Sequence, residues 1–146
     1  AVCKNCQCGR LFSINLNVNG SAEIQMNQVD ITVETQYLKN QIPDKSKYAF
    51  AYKISIYNNG QHTVQLINRY WLITDGNGKK TEVRGPGVIG EQPHIKSGDC
   101  FYYTSGAVLD TPVGTMQGHY EMRREDGEQF DAPIKVFSLA VPNVLN

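Results

Sequence analysis

The chain has 146 residues, with 14 basic and 14 acidic side chains and a formal net charge of +0. That length suits one domain able to bury a core without metal or disulfide staples, and the balanced charge excludes both the basic footprint of a nucleic-acid binder and an acidic solvating tail. Charged residues make up only 19%, while glycine reaches 13 and tyrosine 8, a composition that suits an all-β domain with many turns.

The start of the chain carries Cys3, Cys6 and Cys8, with Cys100 far downstream. The first three could supply part of a zinc site, but a closed site needs a fourth ligand from Cys100 or a histidine. With the ligand set incomplete, residues 1–27 are expected to form a flexible extension with incidental thiols, whether native, appended or translated from a misplaced start. Asn15 to Ser21 suits a linker. Cys100, before Phe101-Tyr102-Tyr103, suits a partly buried small hydrophobe.

Residues 28–146 are expected to form the domain. Val29, Ile31 and Val33 alternate with polar neighbours, as in a half-buried strand. Gln41 to Lys47 is a polar connection. Phe50, Tyr52, Ile54 and Ile56 alternate in a second strand, which Asn58-Asn59-Gly60 closes as a turn suited to positive φ. Val64 to Thr74 is a third strand, with Trp71 expected on one face with Ile67 and Ile73. Asp75-Gly76-Asn77-Gly78 is a hairpin signal, and Lys79 to Arg84 returns as an edge strand. Gly85 to Pro93 is punctuated by glycine and proline and is expected as a loop, with Val88-Ile89 plugging a core edge. Strands follow at Cys100 to Ser105, Met116 to Arg124 and Gln129 to Leu139, separated by turns at Lys96 to Asp99, Asp110 to Gly114 and Asp126-Gly127.

No stretch has helical periodicity long enough to pack. Short strands between turn signals predict an all-β sandwich of two antiparallel sheets. Gly118-His119-Tyr120-Glu121-Met122 matches the tyrosine-corner pattern of immunoglobulin-like domains, with Met122 at the place of their second cysteine. A plain core role for Tyr120 leads to the same fold. No run approaches the roughly 18 apolar residues of a membrane span, and no cationic start with an apolar run reads as an export signal. A cytoplasmic location with no membrane partner is the expectation.

Gly85-Pro86-Gly87-Val88-Ile89-Gly90 fits G-x-G-x-x-G, but a dinucleotide loop must open a helix, and Glu91-Gln92-Pro93 does not. Glycine amides can still cradle an anion without a helix. Arg84, Gly85, Gly87, Gly90 and His94 are therefore the candidate anion-binding residues, with Lys96 nearby. The competing reading is a sandwich connection whose glycines meet backbone needs. His62, His94 and His119 are too widely spaced to signal a metal site. His119 and Glu121 share the side of their strand opposite Tyr120. Asp110 with Glu121, or Glu125 with Asp126 and Glu128, could hold a hard cation, without the spacing of a calcium loop. A triad of a serine, His119 and Asp110 has no support in spacing, and G-x-S-x-G is absent. No catalytic residue, resident metal or cofactor is assigned.

Several long segments resemble the ApaG family. They are Arg69 to Gly78, Gly85 to Pro93, Tyr103 to Pro112, Gly114 to Met122 and Phe137 to Pro142, within a similarity running from about Val29 to the C-terminus. The resemblance implies an immunoglobulin- or fibronectin-III-like sandwich in the bacterial cytoplasm, associated with cobalt and magnesium homeostasis. Similar domains in eukaryotic multidomain proteins, including an F-box protein, look like interaction modules. The family's glycine signature falls on Gly85, Gly87 and Gly90 and implies a pyrophosphate site. The expected function is a non-enzymatic module binding a protein partner, as monomer or homodimer. The alternative is a regulator that binds a pyrophosphate-like anion or a divalent cation, and a phosphoanhydride hydrolase is a third reading.

Overall fold

A computed structural model describes residues 2–3, 12–16, 22–26 and 28–143, with side chains described from residue 28 onward. Every regular element in it is a strand. Val2–Cys3 (β1) pairs with Cys100–Leu109 (β9) through Phe101 and Cys100. Phe12–Leu16 (β2) and Ala22–Met26 (β3) pair with each other as a separate two-stranded sheet. Three short strands thus lie in the segment expected as an extension. Cys6 and Cys8 and the side chain of Cys3 lie outside the described residues.

The sandwich is built from the alternating segments. Val29–Tyr37 (β4) and Tyr48–Asn58 (β5) join β9 in one antiparallel sheet, ordered β1-β9-β5-β4. The other sheet contains Val64–Asp75 (β6), Lys80–Pro86 (β7), Val113–Arg124 (β10) and Gln129–Ala140 (β11), ordered β11-β10-β6-β7. The two-residue strand His94–Ile95 (β8), too short for alternation to reveal, also pairs with β6. Phe50, Tyr52, Ile54 and Ile56 of β5 are buried, as their period of two requires. They face Val64, Leu66, Trp71, Met116, Tyr120 and Met122 across the core. Each fully buried aliphatic side chain contributes roughly 1.5–3 kcal/mol. Trp71 takes edge-on ring contacts from Tyr52, Phe137 and Tyr120 at 5.5, 5.9 and 6.3 Å. Cys100, expected to be partly buried, is fully buried.

Four expectations need correction. Asn59 and Gly60 do not have positive φ; the left-handed positions lie elsewhere. Asn58 is instead a fully buried clamp, its Nδ2 donating to the carbonyls of His62 and Ile95 at 2.8 Å each. Gly85 and Pro86 are not loop residues but the last pairs of β7, opposite Arg69 and Asn68. A proline is tolerated there because β7 is an edge strand. Tyr120 is not a tyrosine corner: it sits mid-strand, and its hydroxyl meets that of Tyr103 at 2.5 Å. Finally, Ile67 does not continue the face of Trp71. Asn68 pairs with Glu121 and Leu66 with Met122, so Ile67 is the extra residue of a β-bulge. The bulge shifts the parity of β6. Leu66 points inward before it, and Arg69, Trp71 and Ile73 point inward after it.

Candidate functional site

The bulge organises the segment that follows β7. On this side of β6 the partner changes from β7 to β8, and residues 87–93 cross the gap. The carbonyl of Ile67 accepts from the amide of Gly87 at 2.8 Å and from Gln92 Nε2 at 2.9 Å. The amide of Leu66 donates to the carbonyl of Pro93 at 3.1 Å. The loop is therefore stitched to the sheet along its length.

The crossing ends in a tight turn. Val88 and Glu91 exchange two backbone hydrogen bonds, each 2.9 Å, around Ile89 and Gly90. Ile89 has φ 45° and Gly90 φ 77°, the left-handed pair of a type I′ turn. A β-branched residue rarely adopts that conformation, which costs it roughly 1–2 kcal/mol. Val88 offsets part of this by burying its side chain, 1% exposed, whereas Ile89 projects with 57% exposed. The expectation that both would plug the core edge therefore holds for Val88 only. Gly87 has no alternative: its φ is 59°, and a Cβ there would lie 2.1 Å from the carbonyl oxygen of Glu91.

Arg69 is the residue that the sequence did not single out. It pairs with Tyr120, a core residue, so it points into the sandwich. Its Nη1 donates to the carbonyls of Pro86 and Gly87 at 3.0 and 2.9 Å. Gly85 leaves room for it: a Cβ on Gly85 would meet the guanidinium nitrogens at 3.1 Å. An inward arginine in a strand carries no periodic signal. Only knowledge of the bulge would have placed it.

A cleft of about 260 Å³ lies beneath the turn, lined by Tyr52, Arg69, Trp71, Tyr103, Ser105 and the loop residues Val88 to Gly90. The hydroxyls of Tyr103 and Tyr120 form their 2.5 Å bond beside it. Burial pushes both phenols well above the ordinary value, so both carry their protons at neutral pH.

The five candidate anion residues do not converge on one site: Arg84 and Gly85 share an open depression with Asn68, Arg69, Pro86 and Glu121, while Gly87, Gly90 and His94 lie elsewhere. Arg84 lies on the outer face, its guanidinium over the Tyr70 ring at 4.2 Å, and His119 packs on the same ring at 5.1 Å. Gly85 lies at the end of β7 beside Arg69. The Gly87 amide is committed to Ile67, and Gly90 sits at the exposed turn. His94 is exposed on β8 and borders a separate depression with Gln65, Arg123 and Glu125. Lys96 is also exposed. The considered carboxylate sets are engaged separately too. Asp110 pairs with Lys47 and lies 3.8 Å from Lys79, and its hydrogen bond from Lys47 holds its carboxyl below the usual range. Glu121 accepts from Asn68 at 2.7 Å, and Glu128 pairs with Arg124 at 2.6 Å.

Known proteins resemble this chain over most of its length. A family model described as the ApaG domain matches residues 38–124. A Protein ApaG from Sodalis glossinidius is 52% identical over 120 residues, covering 82% of this chain and 96% of that protein. One from Pseudomonas putida is 53% identical over 120 residues, covering 82% and 95%. A crystal structure from Bordetella pertussis, described as an ApaA protein, superposes with a TM-score of 0.76 at 44% identity, covering 80% of this chain and 95% of that one.

Proposed function

This chain belongs to the ApaG family, and from that premise we propose that it is a non-enzymatic binding module that docks a protein partner through the turn at Ile89. The observation carrying this reading is the strained, exposed isoleucine on a rigid support. An apolar side chain held at φ 45° and left 57% exposed gains little for folding. Strain of this kind persists where the surrounding structure over-determines it, and such positions cluster at functional sites. Four supports fix the turn: the two bonds between Val88 and Glu91, the Gly87 amide on Ile67, and the Arg69 fork. A preorganised apolar tip loses little entropy on binding.

Ile89→Asn separates stability from binding. Asparagine tolerates the left-handed region, so the variant is expected to melt a few degrees above the parent while losing the apolar contact. Thermal melting and affinity capture from a bacterial lysate, run on the same two preparations, check this. Capture of the same proteins by both chains would count against docking at the tip. The family's association with cobalt and magnesium homeostasis makes those cations and pyrophosphate the first small ligands for calorimetry. Saturable binding of any of them would favour the regulator reading over the docking one.

A further inference from the structure

The cleft beneath the turn has an excess of donors. Trp71 is 2% exposed, and its indole Nε1 has no hydrogen-bond partner among the described residues. A buried donor left without a partner carries the full cost of its desolvation. Tyr103 and Tyr120 add a second donor by simple counting. Two protonated hydroxyls share one bond, so whichever donates, one O–H proton remains. Tyr120 is fully buried, and Tyr103 is the member that lines the cleft. Arg69 adds a guanidinium whose Nη1 serves the two loop carbonyls, while Nη2 and Nε keep donor capacity. Ser105, Tyr52 and the loop residues Val88 to Gly90 complete the lining.

We propose that this cleft is a carboxylate-binding site, with the Trp71 indole, the Tyr103 hydroxyl and the Arg69 guanidinium as its donors. Two features select a carboxylate over a phosphate. Among the described residues Arg69 is the one cationic side chain in the lining, and it compensates one negative charge. A phosphate brings about −1.5 to −2 at neutral pH, leaving charge uncompensated among aromatic rings. The small volume likewise suits a two-oxygen head more than a nucleotide. The carboxylate of a free small acid and that of an acidic side chain share this chemistry.

Trp71 is the only tryptophan, so the whole protein gives one indole N–H resonance, and that resonance reports directly on the site. Acetate, acetamide, inorganic phosphate and a blocked acidic tripeptide are titrated against it at matched ionic strength. Acetate is expected to shift the indole peak downfield and saturably, at concentrations on the order of millimolar. Acetamide and phosphate are expected to give no saturable shift. A response to the tripeptide as strong as that to acetate assigns the site to protein side chains, and a response to acetate alone assigns it to free acids. Tyr103→Phe, checked for folding by circular dichroism, should weaken acetate at least about threefold, the loss of one hydrogen bond. An indole peak unmoved by acetate, or moved equally by acetamide or phosphate, overturns the proposal. The acetate titration needs no protein partner, so its outcome is independent of the docking test at Ile89.

Discussion

Asn58→Asp is expected to lower the unfolding free energy by about 3–5 kcal/mol at neutral pH, the cost of an uncompensated buried charge. The substitution keeps the shape of a side chain that is 0% exposed. It replaces an amide nitrogen donating to two carbonyls at 2.8 Å with a carboxylate oxygen facing the same two carbonyls. The oxygen Oδ1 can still accept from the Gly60 amide at 3.0 Å, so the damage is confined to the donor side. Burial and the facing carbonyls raise the folded-state pKa of the introduced carboxyl above its unfolded value. Its destabilisation is therefore largest above the folded pKa and diminishes as the pH falls through it toward the unfolded one. Urea unfolding at neutral and mildly acidic pH measures both effects. A midpoint equal to that of the parent at neutral pH would refute the clamp.

Gly87→Ala is expected to cost about 2–4 kcal/mol and to dismantle the turn. The left-handed φ of 59° contributes roughly 1–2 kcal/mol of that, and moving the Glu91 carbonyl away from the new methyl group supplies the remainder. Gly90→Ala is the internal control. Its φ is 77°, but nothing lies within 4 Å of a Cβ there, so only the conformational cost of about 1–2 kcal/mol applies. Urea unfolding of the two variants separates crowding from backbone strain. Equal losses would show that the close approach of Gly87 to Glu91 is unimportant.

The sandwich was legible because its strands alternate cleanly. Phe50, Tyr52, Ile54 and Ile56 show the core face of β5 without help from any neighbour. Legibility failed where pairing between distant segments, not local pattern, decides the geometry. The bulge at Ile67 is invisible in sequence, since it depends on how Leu66 and Asn68 meet Met122 and Glu121. With it went the inward direction of Arg69 and the place of Ile67, which does not share the core face of Trp71 and Ile73. The glycine segment was legible as irregular backbone, but which glycine serves which purpose was not. Gly85 clears space for Arg69, Gly87 avoids the Glu91 carbonyl, and Gly90 completes the turn. Proximity in sequence to Arg84 and His94 suggested one cluster, yet strand direction sends Arg84 to the outer face and His94 to the next strand. Asn58 was legible only as a turn former, because burial of an asparagine has no sequence signal of its own.

The balanced charge of the chain sharpens what the loop can do. With 14 acidic and 14 basic side chains there is no general field to gather anions, so any anion must be held by local donors. At the glycine loop, the amides of Gly87, Val88 and Glu91 are already given to carbonyls. What the loop presents outward is the side chain of Ile89. An amide-resolved NMR titration with pyrophosphate tests this most directly. The resonances of Gly85 to Gly90 are expected to stay in place at millimolar pyrophosphate, with the amides of Gly87, Val88 and Glu91 protected from hydrogen exchange throughout. A saturable shift of those loop resonances, with pyrophosphate slowing exchange at Ile89 and Gly90, would contradict it and make the loop an anion cradle.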